Sequence, residues 1–173
     1  MVVLLTLIRS GISGAESFCK HCLASVQSVC WAPDGQTMAS GSQDGTVRIW
    51  DWNPGTKLAT CRSVLSATQM VHSVAIFCDS ELVVAGCQDG RLRLWNMGTG
   101  ALVACSGDGH TKWINELVLS QGGVKDSAPF ILSTSPDGMI KRWDYTLDHL
   151  QCSKTYVGHK VSTYCFQRCA KQN

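Results

Sequence analysis

QDGTVRIWD, running from Gln43 to Asp51, returns as QDGRLRLWN from Gln88 to Asn96 and as PDGMIKRWD from Pro136 to Asp144. In each copy an Asp-Gly pair is followed, five residues after the Gly, by a Trp. The turn aspartates Asp44, Asp89 and Asp137 recur 45 and then 48 positions apart. A Gly at that place supplies positive φ, so each pair reads as a two-residue turn between antiparallel strands. The strands predicted around the turns are Thr37 to Ser42 with Thr46 to Trp50, Leu82 to Cys87 with Arg91 to Trp95, and Phe130 to Ser135 with Met139 to Trp143.

Working outward, one apolar run precedes each hairpin: Val26 to Trp31, Val71 to Phe77 and Ile114 to Leu119. One follows each: Lys57 to Arg62, Ala101 to Cys105 and Gln151 to Tyr156. Four short strands per period of about 45 residues is the pattern of a propeller blade. The fold expected is all-β, a partial β-propeller of about three four-stranded antiparallel blades whose arc is not closed. The divisions expected are 1–24, a preceding strand remnant and loop; 25–62, 63–105 and 106–156, three repeats; and 157–173, the start of a fourth.

Over about Ser25 to Phe166 the chain resembles the WD-repeat (WD40) family. The third copy is the fullest, with Gly109-His110 ahead of its first strand and Trp143-Asp144 at the end of its third. The resemblance implies that a His, a second-strand Ser, the turn Asp and the Trp hydrogen-bond one another: His110, Ser133, Asp137 and Trp143. The first copy supplies Ser40, Asp44 and Trp50, with His21 as its candidate His. The second keeps Asp89 and Trp95, but Ala67 and Ala85 replace His and Ser, which marks that blade as the softest.

A Ser, His and Asp together also raise a catalytic reading. A nucleophilic triad needs an exposed Ser oxygen and an oxyanion site. Here the Ser would lie inside a strand with an indole N–H on its hydroxyl, which is the pattern of a satisfied buried network. The chain also lacks a Walker-type loop, an H-E-x-x-H and a G-x-S-x-G elbow. No catalytic residue, cofactor or enzymatic activity is expected.

A net charge of +2 makes no strong electrostatic demand for nucleic acid or anionic membrane. The apolar run MVVLLTLIR is too short to span a bilayer. Val2 to Ile8 reads instead as a strand remnant, and Ser10 to Ser17 as a loop. Of the ten cysteines, Cys30, Cys61, Cys78, Cys87, Cys105 and Cys152 are spread singly along the strands, as reduced thiols of an intracellular protein would be, cytoplasmic or nuclear. Cys19 and Cys22 with Cys165 and Cys169 could in principle ligate zinc. They lack paired knuckles, and no metal is expected.

Three repeats and the opening of a fourth, Gly158-His159 with Val161 to Phe166, would expose apolar faces at both ends of an arc. The chain therefore reads as a piece of a longer repeat protein, or as an arc closed by another chain. The resemblance implies a non-enzymatic scaffold that docks proteins or peptides on one end of the blades. Its partner-facing positions would be Ser25, Gln27 and Gln43; Met70, His72 and Gln88; and Trp113, Asn115 and Pro136. This patch is uncharged, and Trp113 is its expected anchor unless its indole lies flat on the neighbouring blade. RNA binding through Trp113, His72 and Lys112 is the alternative, disfavoured because Arg48, Arg91, Arg93, Lys141 and Arg142 belong to the third strands. A sensor arm of a large nucleotide-binding adaptor is a further one.

Overall fold

The computed structural model describes residues 24–79, 81–120, 128–146 and 149–158. Within them twelve strands form three four-stranded antiparallel sheets. Blade 1 comprises β1 (Val26–Trp31), β2 (Thr37–Ser42), β3 (Thr46–Asn53) and β4 (Leu58–Ser66). Blade 2 comprises β5 (Val71–Ile76), β6 (Leu82–Cys87), β7 (Leu92–Asn96) and β8 (Leu102–Cys105). Blade 3 comprises β9 (Glu116–Ser120), β10 (Phe130–Thr134), β11 (Met139–Tyr145) and β12 (Leu150–Val157). Strand order follows chain order in every sheet, and the arc is unclosed among the described residues. His21, Cys19, Cys22, Cys165 and Cys169, the Val2 to Ile8 run and Val161 to Phe166 lie outside those residues.

The hairpin turns differ in detail from the two-residue form. In each the Gly amide bonds back to the carbonyl three residues earlier: Gly45 to Ser42 and Gly90 to Cys87, the last residues of β2 and β6, and Gly138 to Ser135, just past β10, at 3.1–3.2 Å. Only the Gly takes positive φ, 76–83°. Two residues of ordinary φ followed by a left-handed Gly form the three-residue hairpin connection. The Asp closes it with its own carboxylate, accepting from the amide two residues on: Thr46 at 2.9 Å, Arg91 at 3.2 Å and Met139 at 3.0 Å.

The other differences are at strand ends. The outer strand of blade 1 runs to Ser66, and β9 begins at Glu116 because Ile114 instead sends its amide to Cys87 O of blade 2, 3.2 Å away. Opposite every repeat Trp the outer strand carries one extra residue. Ile49 pairs with Ser63 but Trp50 with Cys61, Leu94 with Ala104 but Trp95 with Leu102, and Arg142 with Lys154 but Trp143 with Cys152. Such a bulge adds right-handed twist at the indole.

Side chains alternate between a rear face, toward the preceding blade, and a forward face, toward the next. One core cluster joins Cys30, Ala39, Val47, Ile49 and Leu65 of blade 1 to Val71, Val74, Val83 and Trp95 of blade 2. A second joins Ala75, Val84, Leu92 and Leu94 of blade 2 to Ile114, Leu117, Ile131 and Trp143 of blade 3. Each junction also has one hydrogen bond in the same place: Val74 N donates to Ser28 Oγ at 3.2 Å, and Leu117 N to Ser73 Oγ at 3.1 Å.

Blade 2 is therefore covered on both faces. Its buried Val, Leu and Trp side chains each contribute about 1.5–3 kcal/mol, against about 1 kcal/mol for a missing hydrogen bond. Burial outweighs the loss of His and Ser, so the composition of its lock does not by itself make blade 2 the weakest. On the rear face of blade 1, Met38, Trp50 and Ala59 pack with Trp31 and Trp52, which meet edge to face with ring centroids 6.1 Å apart.

Close approach at the junctions rests on two glycines. A Cβ on Gly41 would lie 2.5 Å from Val71 Cγ1, and one on Gly86 2.5 Å from Ile114 Cγ2. Gly86→Val is expected to destabilise the chain by about 1–3 kcal/mol through overpacking, while Gly107→Ala, which meets open space, is expected to leave the urea midpoint nearly unchanged. Equal midpoints for the two variants would show that the junction is not held by this contact.

Candidate functional site

In blade 3 the loop before β9 brings His110 beside the turn Asp and the middle of β10. His110 Nδ1 is 2.8 Å from Asp137 Oδ2, and His110 Nε2 is 2.8 Å from Ser133 Oγ. The Trp143 indole N–H donates to the same Ser133 oxygen at 2.7 Å. A carboxylate only accepts, so Nδ1 carries the proton and Nε2 accepts the Ser133 hydroxyl. One unbroken donor chain follows, from Trp143 through Ser133 to His110 and Asp137. Asp137 also receives the Thr111 amide at 3.1 Å, tying the loop down.

The electrostatics match a neutral imidazole. Burial pushes the His110 pKa below its ordinary value and nearby Lys141 adds to this, outweighing the opposite pull of Asp137. Burial would raise Asp137, but the Met139 amide, His110 and the Thr111 amide hold its carboxyl below the usual range. Ser133 is fully buried, its oxygen already shared between indole and imidazole. A nucleophile needs access to substrate, and this hydroxyl has none.

The other two blades keep only parts of this arrangement. In blade 1 the Trp50 indole donates to Ser40 Oγ at 2.9 Å, and Asp44 takes the Thr46 hydroxyl at 2.6 Å. In blade 2, Ala67 and Ala85 are fully buried beside Trp95. Asp89 there takes a partner that the sequence reading missed: Arg93 grips both carboxylate oxygens, at 2.7 and 3.1 Å. The signal was present as a cation four residues after each turn Asp, at Arg48, Arg93 and Lys141. Lys141 instead donates to Gly109 O at 3.0 Å, because His110 already occupies its Asp.

At the turn end of the blades the expected docking positions fall into two groups. Gln88, His72, Trp113 and Asn115 form a connected set across blades 2 and 3. His72 Nε2 is hydrogen-bonded to Gln88 Oε1, and the His72 and Trp113 rings lie 6.4 Å apart at 31°. The Trp113 indole donates to Asn115 Oδ1 at 2.8 Å. Trp113 is half-buried, its ring tilted against the His72 ring of blade 2. On the other side, Ser25 and Gln43 are exposed, Gln27 and Met70 half-buried, and the Gln43 and Gln88 amides bond to Ser25 O and Met70 O at 3.0 and 2.8 Å. Pro136 departs from expectation: it is buried, and its carbonyl receives Lys112 Nζ at 3.4 Å.

Residues 15–51 and 59–96 match the family model described as WD domain, G-beta repeat. Among solved structures, the chain is similar to one described as the crystal structure of RRP9 WD40 repeats and to one described as the structure of U3-55K. Each has a TM-score of 0.67 and 18% identity, covering 81% of this chain and 41% of the other. The chain thus spans about two fifths of the length of the structures it matches, and at this identity the likeness shows the fold alone.

Trp143→Phe is expected to cost about 1–3 kcal/mol in a urea titration, by stranding the Ser133 oxygen, with Trp95→Phe costing clearly less. Equal losses would remove Ser133 from the lock. A second expectation concerns acid. Unfolded His takes up protons near its ordinary value of about 6.5, whereas folded His110 resists them, so the unfolded state binds more protons as pH falls. Stability present at pH 7.5 is therefore lost progressively below that value. His110→Gln, already less stable, is expected to show a flatter dependence between pH 7.5 and 5.5; an unchanged slope would place the acid sensitivity elsewhere.

Proposed function

As a chain of WD repeats folded into propeller blades, the protein is, we propose, a non-enzymatic scaffold that docks other proteins or peptides on the turn end of its blades. The observation that carries the reading is the connected set of Gln88, His72, Trp113 and Asn115. Two aromatic rings and two amides from successive blades meet there in one surface, though they are up to 43 positions apart in sequence. An aromatic centre with few charges is what protein interfaces concentrate. Burial of Ser133 between His110 and Trp143 supports the non-enzymatic part.

An RNA-binding surface would need cations around the same rings. Lys112 adjoins Trp113, but its ammonium is directed to Pro136 O, and the Arg93 guanidinium is held by Asp89. Cys61, Cys78, Cys87, Cys105 and Cys152 are free thiols, with Cys87 buried. That agrees with a reducing compartment, cytoplasm or nucleus, which we include in the proposal.

Trp113→Ala is expected to weaken partner capture by about 2 kcal/mol or more, as for a central aromatic anchor, while the melting temperature changes little. Met70→Ala and Gln43→Ala are expected to weaken it less. A Trp113→Ala protein that melts early yet binds normally would make the indole a packing residue and move the docking surface elsewhere. Binding that declines steeply with added salt would favour the RNA reading.

A further inference from the structure

The rings of the turn-end set are fixed by their own hydrogen bonds. A Gln oxygen only accepts, so His72 Nε2 carries the proton and donates to Gln88 Oε1. The Trp113 indole likewise uses its one N–H on Asn115 Oδ1, 2.8 Å away. Two rings from successive blades are thereby held 6.4 Å apart at a tilt of 31°. Side chains held in this way lose little freedom when a ligand packs on them.

What this arrangement leaves over is a donor. Gln88 is exposed, and its amide NH2 makes no hydrogen bond among the described residues. Gln43 holds the same place in blade 1, each of the two sending its backbone amide to the residue just before the first strand, Ser25 O or Met70 O. It too is exposed, and its side-chain amide makes no hydrogen bond among the described residues. Met70 in turn holds the place of Trp113, since Val71 presses on Gly41 as Ile114 presses on Gly86. One unit, an apolar side chain from one blade beside an amide donor from the blade before it, therefore recurs at both junctions.

The set contains no charged side chain, and the charges at the same end are already engaged. Asp44 accepts from the Thr46 amide and hydroxyl, Asp89 is gripped by Arg93, and Asp137 is taken by His110 and the Thr111 amide. Lys112 directs its ammonium to Pro136 O. A charged ligand would lose hydration here and gain no counter-charge.

We propose that the turn end of the blades takes a proline-rich segment of the partner in the polyproline II conformation, an inference that rests on the docking reading above and names its ligand. Such a segment makes no internal hydrogen bonds, so its carbonyls are free to accept from the Gln43 and Gln88 amides. Proline has no N–H, so a proline ring packed on Trp113 or Met70 strands no donor of the ligand. Aromatic-lined surfaces are a recurring receptor for this conformation. An extended ligand with a short repeat also suits a receptor whose unit recurs from blade to blade. Acidic and basic peptides are the poorer match for want of a counter-charge, and so is RNA, whose phosphates need cations.

The test is fluorescence anisotropy with the 173-residue chain and a labelled proline decapeptide, with a Gly-Ser decapeptide as the flexible uncharged comparison. Saturable binding of the proline peptide is expected, at an affinity that does not fall with added salt. The Gly-Ser peptide, which has no rings and must be ordered, is expected to bind weaker by about tenfold or more. Trp113→Ala is expected to weaken binding by more than about tenfold, and Trp113→Phe by less because a ring remains. Gln88→Glu, at an exposed position, turns a carboxylate toward the ligand carbonyls and is expected to weaken binding by about tenfold with an unchanged melting curve. The proposal is overturned by an absence of saturable binding, by equal affinity for the Gly-Ser peptide, by insensitivity to Trp113→Ala or to Gln88→Glu, or by tighter, salt-sensitive binding of an oligouridine. If the proline peptide fails to bind while capture of a protein partner still depends on Trp113, the ligand class falls and the docking surface stands. Capture that is unchanged in Trp113→Ala removes the docking surface itself.

Discussion

Everything in this structure depends on sheet packing against sheet at a separation that admits no side chain between Gly41 and Val71 or between Gly86 and Ile114. A four-stranded antiparallel sheet with two apolar faces has no stable state alone in water, because neither face can be surrendered to solvent without losing several buried aliphatic side chains. The blades answer this by stacking. Each lends its forward face to the rear face of the next, and the glycine in the second strand lets the first strand of the following blade come close enough to exclude water. The Ser28 and Ser73 hydroxyls then satisfy one amide of that incoming strand, so that close approach strands no donor at that point.

The hydrogen-bonded lock of blade 3 is subordinate to that packing but serves a different end. Burial is non-directional, whereas the chain of donors from Trp143 through Ser133 and His110 to Asp137 fixes the angle between the inner loop, the second strand and the hairpin turn. Blade 2 shows that the two contributions are separable. It has no such chain, yet both its faces are covered by blades 1 and 3, and its turn Asp is held by Arg93.

The same packing rule makes departures informative. Where the forward faces of blades 1 and 2 are small and aliphatic, that of blade 3 is charged and aromatic. At the positions of Ile49 and Leu94 blade 3 carries Arg142, with Lys154 opposite it.

Most of the fold was legible in the residues themselves, because its signals are local. A Gly with positive φ after an Asp, alternation on either side of it, and a fixed return every 45 or 48 positions place the hairpins without reference to anything distant. The lock residues of blade 3 were named through the resemblance to the WD-repeat family, and the structure brings those four side chains together. What only the tertiary structure decided is which side chains meet, within a blade and across blades. Arg93 on Asp89, His72 against Trp113, the burial of Pro136, and the opposition of Arg142 to the aliphatic positions of its counterparts all depend on strand register and on which face each residue turns to a neighbour. A repeat specifies its own strands through short-range chemistry, but two repeats meet through contacts 28 to 46 residues apart, and no local pattern encodes the partner that closes such a contact.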